Sequence, residues 1–369
     1  MTNKPKVGIL SMQRIKNYGS FLQAFGLKSI LEELGADVQF VDYHPGSTLV
    51  PTDDEKSGLR RKINKGFEAL QGNAPLKAKL DFIKYKNNFG SNYYPYLGIT
   101  EEMNYAPDLD LLIIGSDEVF NCVQNNTNVG FSPELFGQSN HAKKLISYAA
   151  SFGNTTLNKL QKYHVDIEVG RWLSQFNSLS VRDKNSHDLV EALTGENCKI
   201  NLDPVLIYDF ASSGKVPTVA DSHYMMLYGY NNRFTKDECQ LIKNFAKQHG
   251  LKIYCIGGVQ GCCDKFIDTD PFTVIGYFKN ADCVVTDTFH GTILSVITHR
   301  QFVSLIRTNG YGNSEKLVDL LGRLKLEDRQ IADLHNLEAY LRKSIDYTTT
   351  DRIISDERIK TREYLKKWL

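Results

Sequence analysis

The run Thr286-Asp287-Thr288-Phe289-His290-Gly291-Thr292 gathers a carboxylate, three hydroxyls and an imidazole in one short stretch. The stretch Asp282 to Val285 before it reads as a buried strand that delivers Asp287, Thr288 and His290 to its carboxyl end. Gly291 and Thr292 are predicted to open a helix, whose unpaired N–H groups and dipole favour an anion. A histidine there can donate to a phosphate or act as a general acid. The plainer alternative, a histidine that caps the helix or bonds a carbonyl, is outweighed by the hydroxyls around it. Arg182 ends another strand, where its guanidinium could grip a phosphate or carboxylate through two parallel bonds. An interdomain salt bridge to Asp183 or Asp287 is an equal reading.

Two further strand ends carry polar groups. Asn17-Tyr18-Gly19-Ser20 is a loop-to-helix turn suited to an oxyanion or a sugar hydroxyl. Gly115-Ser116-Asp117-Glu118-Val119-Phe120-Asn121 offers two carboxylates and an amide. Asp117 could take a proton from an attacking hydroxyl, although a helix cap would explain it as well. Tyr230 lies at a fifth strand end, in the segment Tyr228 to Asn231. The chain lacks G-x-G-x-x-G, Walker, G-x-S-x-G and H-E-x-x-H patterns, which disfavours dinucleotide, P-loop, serine-hydrolase and zincin chemistry. Seven cysteines, odd in number and without a C-x-x-C pair, suggest free thiols rather than disulfides or a zinc site. No metal site is expected.

These residues need strands and helices to hold them. Lys6 to Leu10 reads as a strand, Ser20 as the cap of a helix running to Gly35, and Val38 to Asp42 as a second strand. Strands at 109–114, 145–149 and 178–181 follow, and Asp203-Pro204 reads as an exit from a first domain. The second half repeats the pattern, with strands at 224–228, 251–256, 281–286 and 302–306. A capping box at Thr235–Glu238 and an Asp270-Pro271 helix start punctuate it. The predicted architecture is α/β: two Rossmann-like domains facing a cleft, the first over 1–208 and the second, with the donor site, over 209–350. The final helix, 351–369, is expected to cross back onto the first domain. A basic helical insert at about 46–106 interrupts the first domain. From Lys56 to Lys86 it holds nine basic residues against two acidic ones, a solvated face or a membrane-surface contact. The formal charge of +1 gives no global pull toward nucleic acid. No secretory signal core or membrane-length apolar run is present in the sequence.

Motifs along nearly the whole chain resemble those of the polysaccharide pyruvyltransferases. They are Lys6-Val-Gly-Ile-Leu10, Asn17-Tyr-Gly-Ser-Phe-Leu-Gln-Ala24, Asp42-Tyr43 and Ile114-Gly-Ser-Asp-Glu-Val-Phe-Asn121. Ile146-Ser-Tyr-Ala-Ala-Ser-Phe-Gly153, Ser180-Val-Arg-Asp183 and Leu202-Asp-Pro-Val205 continue the series. Asn280-Ala-Asp-Cys-Val-Val-Thr-Asp-Thr-Phe-His-Gly-Thr292 and Gln301-Phe-Val303 close it. The resemblance implies a fold like the two-domain glycosyltransferase type B, with phosphoenolpyruvate between the domains as co-substrate and no cofactor. It implies donor contacts at Arg182 and His290, within the set Arg182, Thr288, Phe289, His290, Gly291 and Thr292. Two departures stand out: Thr288 where some members carry arginine, and Lys316 where an arginine is often seen.

The expected function is transfer of a pyruvyl group to two glycan hydroxyls, closing a cyclic ketal in cell-surface polysaccharide biosynthesis. His290 is the expected acid or phosphate donor, and Asp117 or Asp287 the expected base. Asn17, Tyr18, Gly19, Ser116 and Tyr230 are expected near the acceptor, which could be lipid-linked. A cytoplasmic enzyme is expected, with 56–86 as a candidate peripheral contact to the inner membrane face. The rivals are a nucleotide-sugar glycosyltransferase on the same fold and a non-catalytic glycan- or anion-binding protein.

Overall fold

A computed structural model of the chain describes residues 4–51, 74–307 and 314–369. Most of the basic stretch, including Arg60, Arg61, Lys62 and Lys65, lies outside the described residues.

The order of elements is β1 (Lys6–Leu10), α1 (Tyr18–Glu33), β2 (Asp37–Phe40), α2 (Leu76–Tyr93), β3 (Asp108–Leu109) and β4 (Leu111–Asp117). Next come β5 (His141–Ala142), β6 (Leu145–Ala150), α3 (Leu157–Lys162), α4 (Asp166–Leu173), β7 (Ser180–Val181) and α5 (Lys184–Thr194). Then β8 (Lys199–Ile200), α6 (Pro204–Ile207), β9 (Tyr224–Tyr228), α7 (Lys236–His249), β10 (Lys252–Ile256) and β11 (Lys265–Phe266) follow. The chain continues through α8 (Pro271–Asn280), β12 (Cys283–Thr286), α9 (Phe289–Ile297), β13 (Phe302–Leu305) and α10 (Ser314–Leu324). It ends with β14 (Gln330–Ile331), α11 (Leu337–Arg342) and α12 (Thr348–Lys366).

The described residues form two six-stranded parallel sheets, in the orders β2-β1-β4-β6-β7-β8 and β11-β10-β9-β12-β13-β14. Parallel strands covered on both faces need apolar side chains on both faces, which is why β4 and β9 are buried almost end to end. Counted along the chain, the second order is the 3-2-1-4-5-6 of dinucleotide-binding domains, and the first begins 2-1-3-4-5 as in the flavodoxin type. In each sheet the strand order reverses beside the first strand of its half. The reversals fall between β1 and β4, where Leu10 pairs with Ile114, and between β9 and β12, where Tyr228 pairs with Thr286. Loops leave such a pair in opposite directions and open a crevice at the carboxyl ends.

Helix α1 ties the two halves together. Every residue from Tyr18 to Leu27 is buried, as befits a helix enclosed all round. Phe25 meets Phe272 of α8 with ring centroids 4.8 Å apart, and the Tyr18 hydroxyl donates to the Thr269 carbonyl at 2.8 Å. Asn17 caps this helix by accepting from the Ser20 N–H at 2.7 Å. The cap expected of Ser20 is therefore corrected: the Ser20 hydroxyl instead donates to Asp117 at 2.8 Å. The capping box of α7 and the Asp270 cap of α8 form as read. Helix α12 lies against the first sheet, where the Tyr364 hydroxyl donates to the Ser147 carbonyl at 2.9 Å.

Candidate active site

The two reversal points face one another across a cleft of about 690 Å³. Its wall from the first half comprises the loop Met12 to Asn17 after β1, Ser20, and Asp117-Glu118 at the end of β4. From the second half come Tyr228-Gly229-Tyr230 after β9 and Thr288-Phe289-His290 after β12.

Helix α9 starts two residues earlier than the sequence suggests. Thr288 is its cap, accepting from the Gly291 N–H at 3.0 Å, so His290 sits within the first turn instead of ahead of it. The imidazole crosses to the first half and lies against Gly19. A Cβ placed on Gly19 would stand 2.2 Å from His290 Nδ1, so this close approach requires glycine. His290 Nε2 is enclosed and faces Asp203 Oδ2 at 3.6 Å.

Asp203 organises the floor of the cleft, and sequence reasoning passed over it as punctuation. Its Oδ1 accepts from the Val205 N–H at 3.0 Å, the ordinary duty of an aspartate before a proline-started helix. Its Oδ2 accepts from Arg182 Nη1 at 2.7 Å and faces the imidazole. Burial by itself would raise this carboxyl, but His290, Arg182 and the Val205 N–H outweigh it and hold the group at about 2.

Arg182 is fully buried and does not present an open fork. Nη1 is taken by Asp203, Nη2 lies 3.4 Å from Asp117 Oδ1, and the guanidinium stacks 4.3 Å over the Phe289 ring. Burial opposes its charge, but Asp117, Asp203 and Asp183 more than compensate and push its pKa up. Arg182 is in salt bridges, but within the first half: its partners are Asp203 and Asp117, and the interdomain bridge to Asp183 or Asp287 is corrected. Asp117 reaches its place through a left-handed backbone at φ 73°, after Gly115 at φ 126°. Gly115 leaves no room for a side chain, because a Cβ would meet the Tyr148 carbonyl at 2.2 Å.

Several expected residues do not reach the cleft. Asp287 turns away and is bound by Arg233 Nε at 2.6 Å and Arg307 Nε at 3.0 Å, so it is not placed to serve as the base. Gly291 and Thr292 are buried inside α9, where Thr292 bonds Ser304 at 2.7 Å. Ser116 is buried and donates to the Ala149 carbonyl at 3.0 Å, and Tyr18 is spent on Thr269. Asn17, Asp117, Arg182, Tyr230, Thr288, Phe289 and His290 do line the cleft.

Residues the sequence reading missed complete the lining. Gln124, Asn126 and Asn128 present amides from the loop after β4, and their composition, Gln-Asn-Asn-Thr-Asn, was a visible signal. Lys316 of α10, noted in the sequence as standing where an arginine is often seen, is buried and pairs across the cleft with Glu118. Burial would raise the Glu118 carboxyl, but Lys316, Arg182 and Asn121 lower it to about 2. Among the described residues, His187, Asp188 and Glu191 of α5 lie close enough to share a metal ion, but none of them lines the cleft.

The sequence comparison decides the family. A family model described as polysaccharide pyruvyl transferase matches residues 17–309, most of the chain. The chain belongs to that family. Membership makes it a transferase of polysaccharide biosynthesis, with a pyruvyl donor and a glycan acceptor. No curated protein matches it by sequence. Among solved structures it is similar to UGT89C1 of Arabidopsis thaliana complexed with UDP-L-rhamnose, at 10% identity, full coverage of both chains and a TM-score of 0.50. The S. aureus MnaA–UDP co-structure covers 98% of each chain at 9% identity and a TM-score of 0.48. The calicheamicin glycosyltransferase CalG4 covers 100% of this chain and 99% of its own at 11% identity and a TM-score of 0.43. The first of these likenesses speaks to the fold alone: two Rossmann-like domains facing a cleft, as in the type B glycosyltransferases. Among the described residues no helix is long and apolar enough to cross a membrane.

Proposed function

We propose that this pyruvyl transferase takes phosphoenolpyruvate as donor and closes a cyclic ketal on two hydroxyls of a glycan. The observation that carries the reading is the His290–Asp203–Arg182–Asp117 chain, with its one imidazole at the meeting point of both halves. His290 protonates the methylene of phosphoenolpyruvate, and the adjacent carbon becomes electrophilic. A sugar hydroxyl forms a C–O bond to that carbon and loses its proton toward Asp117, which lies at the cleft wall. The C–O bond to phosphate then breaks, a second hydroxyl closes the ring, and inorganic phosphate leaves with the remaining proton. The scheme requires no resident cofactor. Asp203 is a positioning residue: it holds Arg182 and orients the imidazole by facing its Nε2. The amides of Gln124, Asn126 and Asn128 and the half-exposed Tyr230 ring suit an acceptor sugar, offering hydrogen bonds and a flat apolar face.

The test is phosphate release from phosphoenolpyruvate across a panel of glycosides, with the ketal methyl group followed by NMR. Release that depends on a glycan acceptor supports the proposal. Transfer from a nucleotide-sugar, with no phosphate released from phosphoenolpyruvate, would overturn it.

A further inference from the structure

We propose that Lys16 and Lys86 form a second anion-binding point of the cleft, one that takes a phosphoryl group. Lys16 stands just before the cap of α1 and Lys86 on α2, and both line the cleft. Lys86 Nζ donates to the Lys16 carbonyl at 2.6 Å, which fixes the ammonium against that loop. It also stands 5.8 Å and 5.4 Å from the ring centres of Phe82 and Tyr85.

What distinguishes the pair is the lack of a counter-charge. Arg14 is held by both oxygens of Asp42, Arg182 by Asp203 and Asp117, and Lys316 by Glu118. Among the described residues neither Lys16 nor Lys86 has a carboxylate partner. Burial and the charge of Lys16 push the Lys86 ammonium down to about 8. Two cations within electrostatic reach of one another on a cleft wall raise one another's energy, and an anion between them relieves it. The positive end of α1 adds to the same field. A phosphoryl dianion matches two cations, where a carboxylate would match one. The pair also supplies what Thr288 and the occupied fork of Arg182 do not, an available cation at the cleft.

The phosphoryl group has two sources, the donor or an acceptor attached through phosphate. The inference does not rest on pyruvyl transfer, because inorganic phosphate tests it without either substrate. Lys16→Gln, Lys86→Gln and the double variant are compared with wild type by calorimetric titration with inorganic phosphate, phosphoenolpyruvate and a nucleoside diphosphate sugar. Affinity for inorganic phosphate is expected to fall at least about tenfold in the double variant, since two charge-assisted contacts are lost, with an unchanged urea midpoint. A parallel loss for phosphoenolpyruvate assigns the pair to the donor, and a loss only for the diphosphate sugar assigns it to the acceptor. Equal binding of all three probes by wild type and the double variant, or no binding of any probe by wild type, overturns the proposal. Should the double variant not fold, the exposed Lys16→Gln carries the comparison. Absence of phosphate release in the glycan assay would leave this result standing.

Discussion

Asp203→Asn separates the electrostatic role of this residue from its capping role. Asparagine keeps the volume and an oxygen for the Val205 N–H, but removes the charge that faces Arg182 and His290. The carboxyl titrates at about 2 in the folded protein against an ordinary 3.8. At 1.36 kcal/mol per unit, that difference is worth roughly 2 kcal/mol. Because the folded value is depressed, the stabilisation is complete well above 3.8 and is lost as pH falls toward 2. Asp203→Asn should therefore lower stability at pH 7 by at least about 2 kcal/mol, toward the 3–5 kcal/mol typical of a broken buried pair. The gap should narrow as pH falls. Urea unfolding at pH 7, 5, 4 and 3, followed by tryptophan fluorescence, measures it. In turnover, kcat should fall by about 100-fold or more with a smaller change in KM. Equal stability of variant and wild type across that range, with an unchanged kcat, would refute the argument.

Gly19→Ala should leave the melting temperature within a few degrees, since alanine favours helix by about 0.5–1 kcal/mol, yet displace His290 and abolish most turnover. Normal turnover in that variant would mean the imidazole can work from another position. His290→Gln should cost roughly 100-fold or more in kcat while phosphoenolpyruvate binding, read by titration, changes little; a loss confined to binding would make His290 a phosphate ligand and not an acid. Phosphate affinity should decline as pH rises from 7 to 9 through the value of about 8 for Lys86, whose charged neighbour is Lys16 and whose nearest titratable ring is Tyr85. Lys86→Arg should flatten that decline, because a guanidinium does not titrate there.

Local rules decided much of this protein from its sequence alone. Apolar runs such as Lys6–Leu10 and Tyr224–Tyr228 became strands over the residues read, because a parallel strand covered on both faces has few other ways to hide them. Thr235 with Glu238, and Asp270 with Pro271, capped helices as their chemistry requires. His290 and Asp117 were legible as strand-end groups, since ligands gather where parallel strands end. Tertiary structure alone decided which of these groups meet. Asp203 read only as an exit from the first domain; in the folded chain one of its oxygens caps a helix and the other faces Arg182 and His290. Asp287, next to Thr288, faces two arginines instead of the cleft, because successive residues leaving a strand point to opposite sides. Lys86 sits in an amphipathic helix that reads as a solvated face, and its partner Lys16 is distant in sequence. The pairing of their charges follows from the packing of α2 against the loop after β1, which periodicity cannot see.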